Sequence, residues 1–136
     1  MAALLTWKDE YSVGISEIDR QHKGLIAMMN ELYEAMMQGR GGEVLERILD
    51  GLIEYTQVHF GTEEGYFEKY GYERRAEHVA EHQRLIADVA KFKQDYQAKK
   101  AILSVDLLDF LGDWLRKHIM VSDRAYGPFL NSKGLK

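Results

Sequence analysis

The chain has 136 residues, a net charge of −4 and no cysteine, and its 18 lysines and arginines are scattered among 22 acidic residues. This length suits a single domain, and the absence of a basic stripe argues against a nucleic-acid partner. Because cysteine is absent, disulfides, iron–sulfur clusters and thiolate metal sites are excluded, and any bound metal must be held by nitrogen and oxygen.

Residues 1–16 predict an extended arm that precedes the first helix. Trp7, Tyr11, Val13 and Ile15 are spaced for partial burial rather than for one helical face, and Gly14 interrupts any regular pattern. Ser16 offers an N-cap oxygen for a helix over about 17–38, in which apolar residues recur every three or four positions.

Three further helices are predicted after this one. The second runs over about 43–70 and stops near Gly71, and the third runs over about 73–98. Ser104 is placed to cap a fourth helix over about 104–125, which the Gly127-Pro128 pair closes. Four helices with short connections predict an all-α, antiparallel up-down-up-down bundle with an extended N-terminal arm, as one domain over 1–136.

All five histidines lie on predicted core-facing stripes, where an unpaired imidazole costs about 1–3 kcal/mol. They and two acids lie at helix ends that coincide in such a bundle: His22 early in the first helix, His59 and Glu63 late in the second, His78 and His82 early in the third, and His118 and Asp123 late in the fourth. Their convergence predicts one metal site.

The spacing and number of these donors indicate two ions. In the pairs His59-Glu63 and His78-His82, a separation of four residues places both side chains on one helix face. Imidazoles and carboxylates suit divalent iron, zinc or manganese, and seven donors are too many for one ion.

Other metal and catalytic motifs are missing from the sequence. No histidine has a glutamate three residues before it, as ferritin-like Glu-x-x-His sites require. The zinc-protease pattern His-Glu-x-x-His and a serine-nucleophile turn are also absent.

The separation of His118 from Asp123 conflicts with a regular α-helix. Five residues correspond to a rotation of roughly 140°, so both side chains cannot readily face one site. We therefore predict a π-like turn or local unwinding between them, since such bulges occur at functional sites.

These residues resemble the hemerythrins, and among them the single-domain bacterial form. The resemblance covers nearly the whole chain and is carried by Trp7, by the run from Gly14 through Gln21-His22, by His59-Phe60 with Glu63-Glu64, by His78 and His82, and by His118 followed five residues later by Asp123.

The resemblance implies two iron ions with a bridging oxo or hydroxo group. His78, His82 and His118 would hold one iron, His22 and His59 the other, and Glu63 and Asp123 would bridge both. Dioxygen would bind at the two-histidine iron. An apolar lining for its pocket is expected from residues near His22 and His118 on their helices: Leu25, Ile26, Met29, Leu111, Leu115 and Ile119.

Reversible dioxygen binding is thus the expected function, either for storage or for delivery to an oxygen-consuming enzyme, with no net reaction by the chain itself. Oxygen or redox sensing and iron handling are the alternatives. With no apolar run approaching a membrane span and no signal-like N-terminus, we expect a soluble, cytoplasmic protein.

Overall fold

The computed structural model describes residues 5–39, 42–97 and 105–136. Four helices form the bundle: α1 (Ser16–Met37), α2 (Gly42–Tyr70), α3 (Arg75–Gln97) and α4 (Val105–Lys117). A π-helix (His118–Asp123) and α5 (Arg124–Ser132) follow α4 without a break, and a short 3₁₀ turn (Asp9–Tyr11) lies in the arm. No strand occurs within these ranges.

The helices alternate in direction, as the predicted all-α bundle requires. The grouped histidines mark one end of the bundle, and a cavity in the bundle core lies beside them. In α1 and α3 the cavity residues follow the ligands along the chain, as Leu25 follows His22 and Leu85 follows His82. In α2 and α4 most cavity residues precede the ligands, as Leu52 precedes His59 and Leu111 precedes His118.

The first three predicted helices agree with the structure to within about two residues wherever their ends are described. Gly71, which follows α2, has a φ of +70°, a left-handed conformation that glycine adopts without strain. Some predicted features lie outside the described residues. These are the end of the third helix at residue 98, the start of the fourth helix at residue 104, the cap at Ser104 and the first four residues of the arm.

The predicted N-cap at Ser16 is wrong. Ser16 is already the first residue of α1, and the cap position belongs to Ile15, which has an extended backbone and is buried. Asp19, in the first turn of α1, instead accepts a hydrogen bond from the backbone N–H of Val13 at 2.8 Å, which ties the arm to the helix. Burial of Ile15 therefore decides where α1 begins.

The predicted end of the fourth helix near residue 125 is also wrong, because helical conformation continues to Ser132 with Pro128 inside α5. Tyr126 and Leu130 on α5 are fully buried in an apolar cluster with Val13 and Ile15 of the arm. Arg124, four residues before Pro128, is exposed, so the lost hydrogen bond can be replaced by water. Tertiary packing outweighs the local helix-breaking signal here.

Two apolar clusters enclose the end of the bundle that carries the histidines. The larger cluster fills the bundle centre and includes Leu25, Phe60 and Leu115. The smaller cluster closes the end and is made by the arm, the start of α1, the end of α2 with the turn that follows it, and α5: Val13, Ile15, Ile18, Phe67, Tyr72, Tyr126 and Leu130. The polar site is thus held between two apolar layers.

None of the helices in the described ranges combines the length and the apolar character needed to cross a membrane.

Gly127 permits the close approach of the arm to α5, and its replacement by alanine is expected to destabilise the protein by about 1–3 kcal/mol. An added Cβ would collide with the backbone carbonyl oxygen of Val13, which cannot rotate away. Gly61→Ala, within α2 and with open space at its Cβ, is the matched control and is expected to be neutral or stabilising. Urea unfolding of both variants measures the difference, and equal midpoints would contradict the close packing.

Candidate metal centre

The structure brings all seven predicted ligand side chains together in two overlapping groups. One group contains His78, His82 and His118, the other contains His22 and His59, and Glu63 and Asp123 belong to both. Within each group the donor atoms lie within 4.8 Å of one another. All seven side chains are buried, with exposures between 0% and 5%. The arrangement suits two neighbouring cations that share two carboxylates.

The π-helix brings His118 and Asp123 to one side of the fourth helical segment, which confirms the predicted rewinding. The backbone N–H of Arg124 donates to the carbonyl oxygen of Ile119, five residues earlier. In such a turn, residues five apart stack along one face. As a result, His118 Nε2 lies 3.1 Å from Asp123 Oδ1.

The distances among the donors match ligands around a common ion. His22 Nε2 lies 2.9 Å from Asp123 Oδ2, and His78 Nε2 lies 2.9 Å from Asp123 Oδ1. These four atoms nevertheless make no hydrogen bond, because the contact angles are unsuitable. Nitrogen and oxygen ligands lie about 2.1 Å from a divalent metal such as zinc, so ligands at right angles are about 3 Å apart. The donor set therefore fits bound cations.

The hydrogen bonding of one imidazole supports the same conclusion. His82 Nδ1 lies 2.9 Å from Glu64 Oε2, and a carboxylate can only accept, so Nδ1 carries the proton and His82 Nε2 keeps its lone pair. That Nε2 faces His118 Nε2 at 3.2 Å. His118 Nδ1 lies 3.5 Å from Glu81 but makes no hydrogen bond with the described residues. The His82 lone pair, directed among the other donors, suits a bound cation.

Several residues that contact the ligands carry no role in the sequence prediction. Gln21 Oε1 lies 2.6 Å from His59 Nδ1, Glu64 lies against His82, and the Tyr126 hydroxyl donates to Glu63 Oε2. Gln21 and Glu64 each adjoin a predicted ligand in the chain. Both also belong to the runs that carry the resemblance stated above, but neither position by itself indicated a contact with a ligand on another helix.

The charges of the two shared carboxylates are stabilised by their neighbours. Burial and the nearby charge of Asp123 both act to raise the pKa of Glu63. The charge of His59 and contacts with His59 and His82 have a larger effect in the opposite direction, and the pKa of Glu63 is lowered to about 2. Burial likewise opposes ionisation of Asp123, yet His118, then His22 and His78, hold its pKa well below the usual range. Both groups are ionised at neutral pH and able to bind cations.

A cavity of about 60 Å³ adjoins this site on the side of the bundle centre. Four of the six residues predicted to line an oxygen pocket line it, namely Leu25, Met29, Leu111 and Leu115. Ile26 and Ile119 are buried in the same apolar cluster but do not line the cavity. Phe60 and Trp114, which the sequence prediction omitted, also line it and stack on His82 and His118 with ring centroids 3.7 Å and 4.5 Å apart.

Known proteins match the chain over most of its length. Residues 13–130 match the family described as "Hemerythrin HHE cation binding domain". The bacteriohemerythrin of Methylococcus capsulatus is 36% identical over 131 residues, covering 96% of this chain and 99% of that protein. The bacteriohemerythrin of Stenotrophomonas maltophilia is 39% identical over 127 residues, covering 91% of this chain and 80% of that protein.

Comparison of the fold with solved structures finds the same kind of protein as the sequence comparison. A crystal structure of wild-type hemerythrin superposes with a TM-score of 0.87 at 35% sequence identity, covering 93% of this chain and 97% of that one. With a family match that spans most of the sequence, and with the donor groups described above, the chain belongs to the hemerythrin family.

Proposed function

We propose that this protein binds dioxygen reversibly at two iron ions held by His22, His59, Glu63, His78, His82, His118 and Asp123. The observation that carries the proposal is the pair of overlapping donor groups that share Glu63 and Asp123. Shared carboxylates keep two ions close together, which suits a ligand that exchanges two electrons with the metal pair. Two ferrous ions held by these residues would supply the two electrons and would make their return possible.

The two groups offer different numbers of ligands. The group with three histidines provides five donors and the group with two histidines provides four. One small ligand shared by both metals would raise these numbers to six and five. A six-coordinate metal would then have all its ligands in the first group and would lack one in the second. We therefore assign dioxygen to the group that contains His22 and His59.

The residues around the cavity keep the site dry. Among the described residues, its lining has twelve apolar side chains and one hydroxyl, that of Thr56, and no titratable group. Thr56 Oγ1 donates its proton to the backbone carbonyl oxygen of Leu52 at 2.7 Å, so the proton is not offered to the cavity. A reduced oxygen ligand is released as peroxide when it gains protons, and a lining without acids slows that loss.

We further propose that the chain acts as a carrier, which stores dioxygen or passes it to an oxygen-consuming enzyme, and that it performs no net reaction itself. No acid or base lines the cavity in the described part of the chain, which supports this role because oxidases need a proton donor for the bound oxygen.

Spectroscopy on the iron-loaded protein tests the proposal. Reduced protein is expected to gain a visible charge-transfer band on exposure to oxygen, to lose it under vacuum and to regain it on re-exposure, with about two irons per chain. Zinc-loaded protein is the control, since zinc has no redox chemistry and should give no band. Irreversible bleaching in the first cycle, or steady consumption of oxygen with a reductant, would contradict a carrier.

A further inference from the structure

Two equivalent imidazoles at the centre have outer partners of different charge. His82 Nδ1 donates to Glu64 Oε2 at 2.9 Å, and His59 Nδ1 donates to Gln21 Oε1 at 2.6 Å. The inner nitrogens of both rings face the same atom, Glu63 Oε1, at 3.3 Å and 3.1 Å. One imidazole is therefore backed by a carboxylate and the other by a neutral amide, although both face the same shared ligand.

The orientation of the Gln21 amide is determined by a chain of hydrogen bonds. Thr62 Oγ1 donates to the backbone carbonyl oxygen of Val58 at 3.1 Å, which leaves its lone pairs for the Gln21 Nε2 amide at 3.2 Å. The amide oxygen must then face His59 and can only accept. Gln21 therefore orients His59 without adding negative charge.

A second carboxylate lies near the three-histidine group. Glu81 lies 3.5 Å from His118 Nδ1 and accepts a hydrogen bond from Ser122 Oγ at 3.0 Å. Neither His118 Nδ1 nor His22 Nδ1 has a hydrogen-bond partner among the described residues. In the described part of the chain, carboxylates thus lie against the outer nitrogens of His82 and His118, and none lies against those of His22 and His59.

Glu64 is not needed to hold the ring plane of His82. The Phe60 ring stacks on His82 with an interplanar angle of 3° and a centroid distance of 3.7 Å. Packing therefore restrains the imidazole on its face, and the carboxylate mainly adds charge. Since the Glu64 side chain is 35% exposed, solvent screens part of that charge and the effect is smaller than for a buried carboxylate.

We propose that Glu64 is a positioning residue that acts through His82 and places more negative charge behind the three-histidine metal position than behind the two-histidine position. Gln21 keeps this difference in charge, because the amide that it places behind His59 is neutral. A carboxylate that accepts the Nδ1–H bond raises the basicity of the imidazole and stabilises added positive charge on its metal. Oxidation adds one positive charge at each iron, so Glu64 favours the oxidised state at the three-histidine position. The inference rests on the proposed function, since it assumes the iron pair.

Two charge-changing variants with opposite expected effects test the proposal. Glu64→Gln keeps a hydrogen-bond acceptor but removes the charge, and an anaerobic redox titration of the iron-loaded full chain with mediators should give a higher midpoint potential than wild type. Gln21→Glu adds a charge beside His59 and should lower the midpoint. Glu68→Gln, one turn further along α2 and exposed, is the matched control and should leave the midpoint unchanged.

Zinc affinity, measured by competition with a chelating dye, gives a second readout that involves neither oxygen nor electron transfer. Glu64→Gln is expected to bind zinc roughly tenfold more weakly than Glu68→Gln. Circular dichroism checks that each variant is folded, and the comparison of Glu64→Gln with Glu68→Gln is sufficient if Gln21→Glu does not fold.

Two results would overturn the role of charge. One is a midpoint and a zinc affinity for Glu64→Gln equal to those of Glu68→Gln. The other is a loss in Glu64→Ala that Glu64→Gln fully restores, which would leave only a hydrogen-bonding role. Failure of the proposed function is distinguishable, because it would show in the wild-type protein as an absence of paired iron or of reversible oxygenation.

Discussion

Replacing Asp123 with alanine is expected to abolish paired metal binding, with iron content falling from about two ions per chain to one or fewer. Asp123 is fully buried and lies within 3.1 Å of nitrogens from His22, His78 and His118, so it contacts both donor groups at once. Its removal deprives each ion of a charged ligand and leaves the remaining donors neutral except for Glu63. Elemental analysis and the visible spectrum of the reconstituted variant measure the loss.

Asp109→Ala serves as the matched control for this substitution. Asp109 lies on α4 and is exposed, so the same change of residue type there should leave iron content and spectrum as in wild type. Glu63→Ala should reproduce the Asp123→Ala result, because Glu63 is the other residue shared by the two groups. Two irons per chain in Asp123→Ala, with an unchanged spectrum, would show that the shared-carboxylate assignment is wrong.

Removal of the metal by a chelator is expected to lower the melting temperature by about 10 °C. An ion that binds only the folded chain stabilises it by about 2.7 kcal/mol when its free concentration is one hundred times its dissociation constant, and two ions add more. The metal-free chain also keeps seven buried polar side chains, several of whose donor atoms have no hydrogen bond, such as both ring nitrogens of His22. Each such group costs about 1–3 kcal/mol.

Thermal unfolding followed by circular dichroism, under anaerobic reducing conditions with and without chelator, measures this stabilisation. The Asp123→Ala variant provides the control, since a chain that has lost at least one of the two ions should show a smaller shift on chelation than the wild-type protein. Identical melting temperatures for the loaded and the chelated wild-type protein would mean that the buried donors are satisfied without a metal.

Much of the candidate site follows from the sequence because helical geometry is regular. The separation of four residues between His59 and Glu63 places both on one face of α2, and short connections between helices bring the ends of all four together. Even the π-helix could be predicted, since a ligand pair five residues apart is incompatible with an α-helix but compatible with a π turn.

Features that depend on contacts between segments could not be predicted. The continuation of α5 past Pro128 depends on the burial of Tyr126 and Leu130 against the arm, and the start of α1 depends on the burial of Ile15. Sequence periodicity shows which residues are apolar but does not show what covers them. A local breaker or capping signal is worth only about 1–3 kcal/mol, which packing of this kind can outweigh.

The sequence by itself therefore determined the fold class and the seven converging donors, because these depend on spacing along helices joined by short connections. The division of the donors between two ions was implied only by the resemblance to the hemerythrins. Only the tertiary structure decided the outer partners of the ligands and the part of the cavity lining that the sequence prediction omitted, such as Phe60 and Trp114. Glu64 and Phe60 of α2 contact His82 of α3, and Gln21 of α1 contacts His59 of α2. Trp114 of α4 stacks on His118, which lies one turn later in the chain. Such contacts are set by how helices rotate and pack against one another, which periodicity along one chain does not specify.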